Sequence, residues 1–331
     1  MENFKIKIIN KSMNIKIDEY IYSILAIFYY YKRALTETEI QKFSERYFNI
    51  TQNVVKNCLG YLIKKGYLKA SKCRSYNNRF AICYLRTSKE LKGDEREKVK
   101  KYTNVIPTLG KAFYLIKNPL FIVGGSKNNV MVDETIDNSD ISDATGIATF
   151  IAHLYSRKDI EPPNDRPIMV PLTSKWMLLI NEHLQKSDVI SIGSTMVNFI
   201  TKKIIEKQYL PIKFIVDVEN KIVKKLTVMN KDYEGHYAVI AVVPNPYSKS
   251  QSIQSILGST YIGDQIIQKP IALIVAGTTA PATNVAGHVL YKVLDKVKKD
   301  VNAVVVKAIL SNKYENENLY LNVEIVGEFL L

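Results

Sequence analysis

The sequence predicts an α/β protein in two parts. A small basic module of helices closed by a β-hairpin comes first, followed by a larger domain of strands and helices around a mixed sheet. Three observations lead there. The length of 331 residues suits about two domains at roughly 150 residues each. The charge is lopsided: residues 1–102 carry 22 Lys+Arg and 10 Asp+Glu, a net of +12, whereas residues 103–331 carry 24 and 22, a net of +2. Short apolar runs alternate with helix-periodic ones only in the second part.

Composition excludes several classes. With 47% apolar and 24% charged residues, the chain is neither disordered nor a coiled-coil or collagen-like rod. Three cysteines (Cys58, Cys73, Cys83) at spacings of 15 and 10 provide no CxxC metal knuckle, and neither a redox pair nor a disulfide-built secreted scaffold is expected. Residues Met1–Lys7 carry charges where a signal peptide needs apolar residues. Nowhere do about 18 apolar residues run together, so no membrane partner and a cytoplasmic location are expected.

In the basic module, Ile17–Tyr31 places Tyr20, Ile21, Ile24, Leu25 and Phe28 on one helical face. Thr36-Glu37-Thr38-Glu39 is a capping box that opens a second helix, with Ile40, Phe43 and Tyr47 inward. Thr51 caps a third, with Val54, Val55, Cys58, Leu59, Leu62 and Ile63 at core spacing. Gly66 ends it in the C′ position. Its other face carries Gln52, Asn53, Lys56, Asn57, Tyr61 and Lys64. Tyr67–Arg74 and Arg79–Leu85 then read as two strands around a Ser75–Asn78 turn.

Helix, helix, helix and basic hairpin is the order of a winged helix-turn-helix. The run Leu59-Gly60-Tyr61-Leu62-Ile63-Lys64-Lys65-Gly66-Tyr67-Leu68 resembles the recognition-helix-to-wing junction of archaeal and bacterial winged-helix DNA-binding proteins. The resemblance covers about residues 15–86. It implies that the third helix enters a major groove of double-stranded DNA, with Thr51, Gln52, Asn53, Lys56 and Asn57 toward base edges. Lys64, Lys65, Lys72, Arg74 and Arg79 would meet phosphates or the minor groove; Tyr76 at the hairpin tip joins the candidate DNA-binding residues, with a packed or exposed turn residue as its ordinary reading. From Arg46 to Lys89 there are ten basic residues and no Asp or Glu, a field that attracts a polyanion. The plain alternative is a solvated face, but a solubilising excess of lysine has no reason to stop at residue 102. Cys58 falls on the apolar face and reads as core filling.

Thr87-Ser88-Lys89-Glu90 is a second capping box, heading a charged segment read as a solvated linker helix over residues 87–106. Beyond it, Leu120–Val123, Ile168–Val170, Val189–Ile192, Ala238–Val243, Ile271–Val275 and Val304–Ile309 suit strands covered on both faces. Ala144–Tyr155, Ser174–Gln185, Met196–Gln208 and Ala282–Lys298 show helical spacing. Ile212–Val216, Lys221–Val228 and Leu319–Leu330 read as antiparallel additions, giving a three-layer α/β domain over residues 107–331.

Two strand-to-helix turns could bind a small anionic or nucleotide ligand. The candidate residues are Gly193, Ser194, Thr195 and Asn198 in the first turn, and Gly277, Thr278 and Thr279 in the second. Neither is a Walker A loop or a GxGxxG turn, and a tight turn with a Ser/Thr cap is the ordinary alternative. Residues 187–331 are also similar to a domain of archaeal S-layer-like proteins, which has a strand, GGPxxN and a helix, and later a strand ending in Ala-Gly before a Thr-xx-Ala helix start. Gly193 and Asn198 fit the first motif, where Ser194 and Thr195 replace its second Gly and its Pro; Ala276, Gly277, Thr283 and Ala286 fit the second. That similarity implies a fold and no activity.

His153, His183, His236 and His288 are scattered without zinc spacing. Asp133, Glu134, Asp137, Asp140 and Asp143 lack the EF-hand pattern. No catalytic set, metal or cofactor is expected. The leading expectation is a sequence-specific DNA-binding protein, a transcriptional regulator working as a homodimer. Its second domain would oligomerise or sense a ligand. The alternatives are a nucleotide- or phosphate-processing enzyme carried to nucleic acid by its winged helix, and a structural assembly protein.

Overall fold

The computed structural model describes residues 18–74, 80–116, 119–123, 174–217, 219–220, 222–248, 270–298, 300–309 and 322–331. They form a mixed α/β structure with three sheets. Two compact units divide between Ile106 and Pro107.

The first unit opens with α1 (residues 18–31). Its burial is broader than the expected stripe, because Ala26, Ile27, Tyr30 and Tyr31 are covered as well as Ile21, Ile24, Leu25 and Phe28. After β1 (Leu35–Thr36) comes α2 (Glu37–Phe48). Its capping box forms as expected. The Glu39 amide donates to Thr36 Oγ1 at 3.2 Å, and the Thr36 amide donates to the Glu39 carboxylate at 2.8 Å. Phe43 stacks on Tyr31 with centroids 4.1 Å apart, and the hydroxyls of Tyr31 and Tyr47 lie 2.9 Å apart. Asn49, left-handed at φ 54°, ends the helix.

Helix α3 (Gln52–Lys64) buries Val55, Cys58, Leu59 and Leu62. Two details differ from expectation. Thr51 stands at the N-cap, but its hydroxyl makes no capping bond. Ile63, at the margin of the apolar stripe, is 39% exposed. Gly66 adopts φ 76°. The Tyr67 amide then donates to Leu62 O and the Gly66 amide to Ile63 O, both at 2.9 Å. This bond pair satisfies last-turn carbonyls and turns the chain into the hairpin.

The hairpin is β2 (Leu68–Arg74) and β3 (Phe80–Arg86), with β1 added on the far edge of β3. Cys73 and Cys83 are joined by a disulfide across it, with Cα atoms 5.7 Å apart, a bond that their spacing of 10 did not indicate. Cys73 sits opposite Ala81, and Cys83 opposite Ser71, so the two are diagonal neighbours. Such bonds persist mainly in oxidising surroundings.

The linker expectation is corrected. The helix, α4, runs Gly93–Val105 and starts where the Lys92 amide donates to the Glu95 carboxylate at 2.8 Å. It is packed rather than solvated. Val99 and Tyr102 are buried, and Tyr102 lies edge-on to Phe48 at 5.9 Å.

The second unit is built on a six-stranded mixed sheet in the order β12-β11-β9-β10-β5-β4. Its strands are β4 (Pro119–Val123), β5 (Asp188–Ile192), β9 (Tyr237–Pro244), β10 (Ile271–Gly277), β11 (Ala303–Ile309) and β12 (Asn322–Phe329). β4, β5 and β10 are parallel; β9, β11 and β12 join antiparallel. Apolar side chains alternate between faces because successive strand residues point oppositely. Phe121, Ile190, Leu273 and Ile240 pack beneath α5 (Leu109–Leu115) and α8 (Ala280–Lys296). Ile122, Val189, Ile274 and Val239 pack on α6 (Ser174–Lys186), α7 (Phe199–Lys207) and a small sheet of β6 (Ile212–Asp217), β7 (Ile222–Val228) and β8 (Lys231–Glu234). Each buried Leu, Ile or Val contributes roughly 1.5–3 kcal/mol.

The helix expected from Met196 instead begins at Phe199, because Asn198 takes the cap. The runs expected at Ile168–Val170 and Ala144–Tyr155 lie outside the described residues. Among the described residues, no helix is long and apolar enough to cross a membrane.

Candidate functional site

The α3 face and the hairpin bring most of the expected basic and amide residues together. Because Val55, Cys58, Leu59 and Leu62 turn inward, Thr51, Gln52, Asn53, Lys56, Asn57, Lys64 and Lys65 are left exposed on the opposite side. Lys72 is exposed on β2, and Arg74 closes that strand opposite Phe80. Tyr76 and Arg79 lie outside the described residues. Burial pushes the Cys58 thiol up to about 11, so it stays a neutral core group.

Folding alters the charge pattern read from the chain. The run from Arg46 to Lys89 contains no acid, yet Glu37 of α2 comes within 3.8 Å of Lys56 Nζ. Glu37 also hydrogen-bonds Tyr84 of β3, whose hydroxyl is raised by burial and then by that carboxylate. One carboxylate therefore ties the outer face of α3 to the hairpin. An exposed pair of this kind contributes about 0–1 kcal/mol, so Lys56 could exchange it for another anion at little cost. Tyr67, which donates to Glu95 at 2.8 Å, is pushed up to about 12 by burial and that bond.

Two residues of this face were missed in the sequence. Phe80 is 78% exposed and Ile82 is 58% exposed, both on β3. The sequence carried no signal for this, because both alternating sets of β3, Phe80/Ile82/Tyr84 and Ala81/Cys83/Leu85, are apolar.

The glycine turns lie side by side, since β5 and β10 are parallel neighbours and the Gly193 amide donates to Val275 O at 2.9 Å. Their polar groups serve the fold. Asn198 donates to Ile122 O at 3.1 Å and Ile192 O at 2.8 Å, and accepts from the Ile200 and Thr201 amides. Thr201 donates to Gly193 O. Thr278 donates to Gly235 O and accepts from the Tyr237 amide. Thr279 caps α8 by accepting from the Ala282 amide. A Cβ on Gly277 would lie 2.6 Å from the Thr283 amide nitrogen, so only glycine allows this strand-to-helix approach. Ser194 is buried and Thr195 half-buried.

His236, not singled out for this edge by its sequence, stands here with Nδ1 3.0 Å from Thr279 Oγ1. Among the described residues no three His, Cys, Asp or Glu side chains gather to hold a metal. No family model, curated protein or solved structure matches the chain.

Proposed function

We propose that the chain is a sequence-specific DNA-binding protein, a transcriptional regulator whose first unit acts as a winged helix. The observation carrying this reading is the division of α3. Its apolar side is buried, while Gln52, Asn53, Lys56, Asn57, Lys64 and Lys65 stand in solvent beside a hairpin bearing Lys72. In a major groove, Asn and Gln match the N6/N7 edge of adenine, and the lysines neutralise phosphates. The order of three helices and then a hairpin, with β1 completing a small sheet, supports the same reading.

For the second unit the turns weigh against ligand sensing through their side chains, which leaves oligomerisation as its proposed role. Asn198, Thr278 and Thr279 are already engaged in holding their turns. A homodimer would read two half-sites about 34 Å apart, which a footprint would display.

The test is a titration of the full chain against duplex DNA over a range of salt concentrations. Binding should weaken with salt, with a log–log slope of about −0.9 per phosphate contacted. A flat dependence, or no binding at low salt, would refute the proposal.

A further inference from the structure

We infer that Phe80 and Ile82 form an apolar wedge that enters the minor groove of bound duplex DNA and partly unstacks a base step. The inference rests on the DNA-binding reading above and adds a mode of contact to it. Phe80 and Ile82 are two residues apart on β3, so both side chains leave the same face of the hairpin. At 78% and 58% exposed, they contribute almost nothing to the core. The register puts Arg74 opposite Phe80 and Lys72 opposite Ile82, so each apolar residue has a cation as its cross-strand partner.

That combination selects the occupant. A second copy meeting this face would bring two modules of net charge +12 together, which repel. A duplex offers phosphates for the cations and, between base pairs, an apolar slot for the ring. Inserted Phe and Ile side chains are a known way to unstack a step and bend DNA. Glu37 links Tyr84, on the same face of β3, to Lys56 of α3. The strand face that carries the wedge is thus joined to α3 through Glu37. The Cys73–Cys83 bond lies within the same hairpin and holds its strands together near the wedge.

The experiment compares the full chain with Phe80→Ala and Ile82→Ala on duplexes carrying 2-aminopurine at successive A·T steps, with end-label energy transfer reporting the bend. Wild type should brighten 2-aminopurine at one step and bend the duplex. Each variant should lose both signals and bind about tenfold more weakly, with its salt slope unchanged because the phosphate contacts remain. Both residues are exposed, so circular dichroism should match wild type; Phe80→Leu, which keeps an apolar wedge, should retain most of the bend. Wild-type binding without brightening or bending overturns the wedge but spares the DNA-binding reading. Absence of wild-type binding overturns both. Variants that keep the bend but lose binding to phosphatidylserine vesicles, or lose self-association in sedimentation, assign the pair to another partner and overturn the wedge.

Discussion

The α3–hairpin face and the paired glycine turns are made of similar residues, yet they do opposite things with them. Both carry Thr and Asn among their candidate residues, although only the first is also basic and only the second is built on glycine. At the turns, Asn198 makes four hydrogen bonds, and Thr201, Thr278 and Thr279 each hold neighbouring backbone. On α3, Thr51 makes no capping bond, and Gln52, Asn53 and Asn57 stand in solvent. A polar residue type therefore marks a binding surface only where the fold has not already engaged it.

Four variants break or sharpen this contrast. The largest effect is expected from Asn198→Ala, which strands two carbonyls and two helix amides and should cost about 3 kcal/mol in the denaturation of the second unit. DNA affinity per folded molecule should stay unchanged. The reverse is expected when Lys64, Lys65 and Lys72 are all changed to Ala. Affinity should fall about a hundredfold at moderate salt, with the slope reduced by nearly three, while melting stays within about 0.5 kcal/mol of wild type.

Next comes Cys73→Ser, which opens the hairpin staple and should lower stability by about 2 kcal/mol. Treating wild type with a reductant should reproduce the loss. If the reductant leaves the melting of the first unit unchanged, the staple contributes nothing.

The smallest effect concerns Glu39. Burial raises its carboxyl, but bonds from Arg33 and Thr36 outweigh that and hold it below its ordinary value of 4.5. A depressed acid stabilises the fold above its unfolded value, and this contribution disappears as the pH falls through the folded one. Glu39→Gln should cost about 1 kcal/mol at neutral pH and progressively less in acid. A pH-independent difference would show that ionisation plays no part.

Legibility in the sequence followed the range of the interaction. The Thr36–Glu39 box, the Gly66 turn and the strand runs at Val189, Ala238, Ile271 and Val304 depend on neighbours in the chain, and each could be read there. What escaped depends on register or on distant partners. Cys73 and Cys83 become neighbours only once β2 and β3 pair, and spacing alone did not indicate it. Tyr102 looked like the end of a solvated helix because Phe48, against which it packs, is far away in sequence. β1 and β8, of 2 and 4 residues, are too short for a periodic signal. Among candidate site residues, exposure on α3 could be deduced from its apolar stripe, whereas Glu37 beside Lys56 could not. The glycine turns were located correctly, but the engagement of their hydroxyls is a matter of geometry.

The stem of the hairpin closes on itself. Thr87 donates its amide to Tyr67 O at 3.0 Å and its hydroxyl to Gly66 O at 2.7 Å, and Lys89 Nζ reaches Lys65 O at 2.6 Å. Chain entering and leaving the ribbon is thereby clasped at the foot of α3. Residues added to or removed from the ribbon's far end should change how far it reaches without re-aiming the helix, so a designer could vary its length independently.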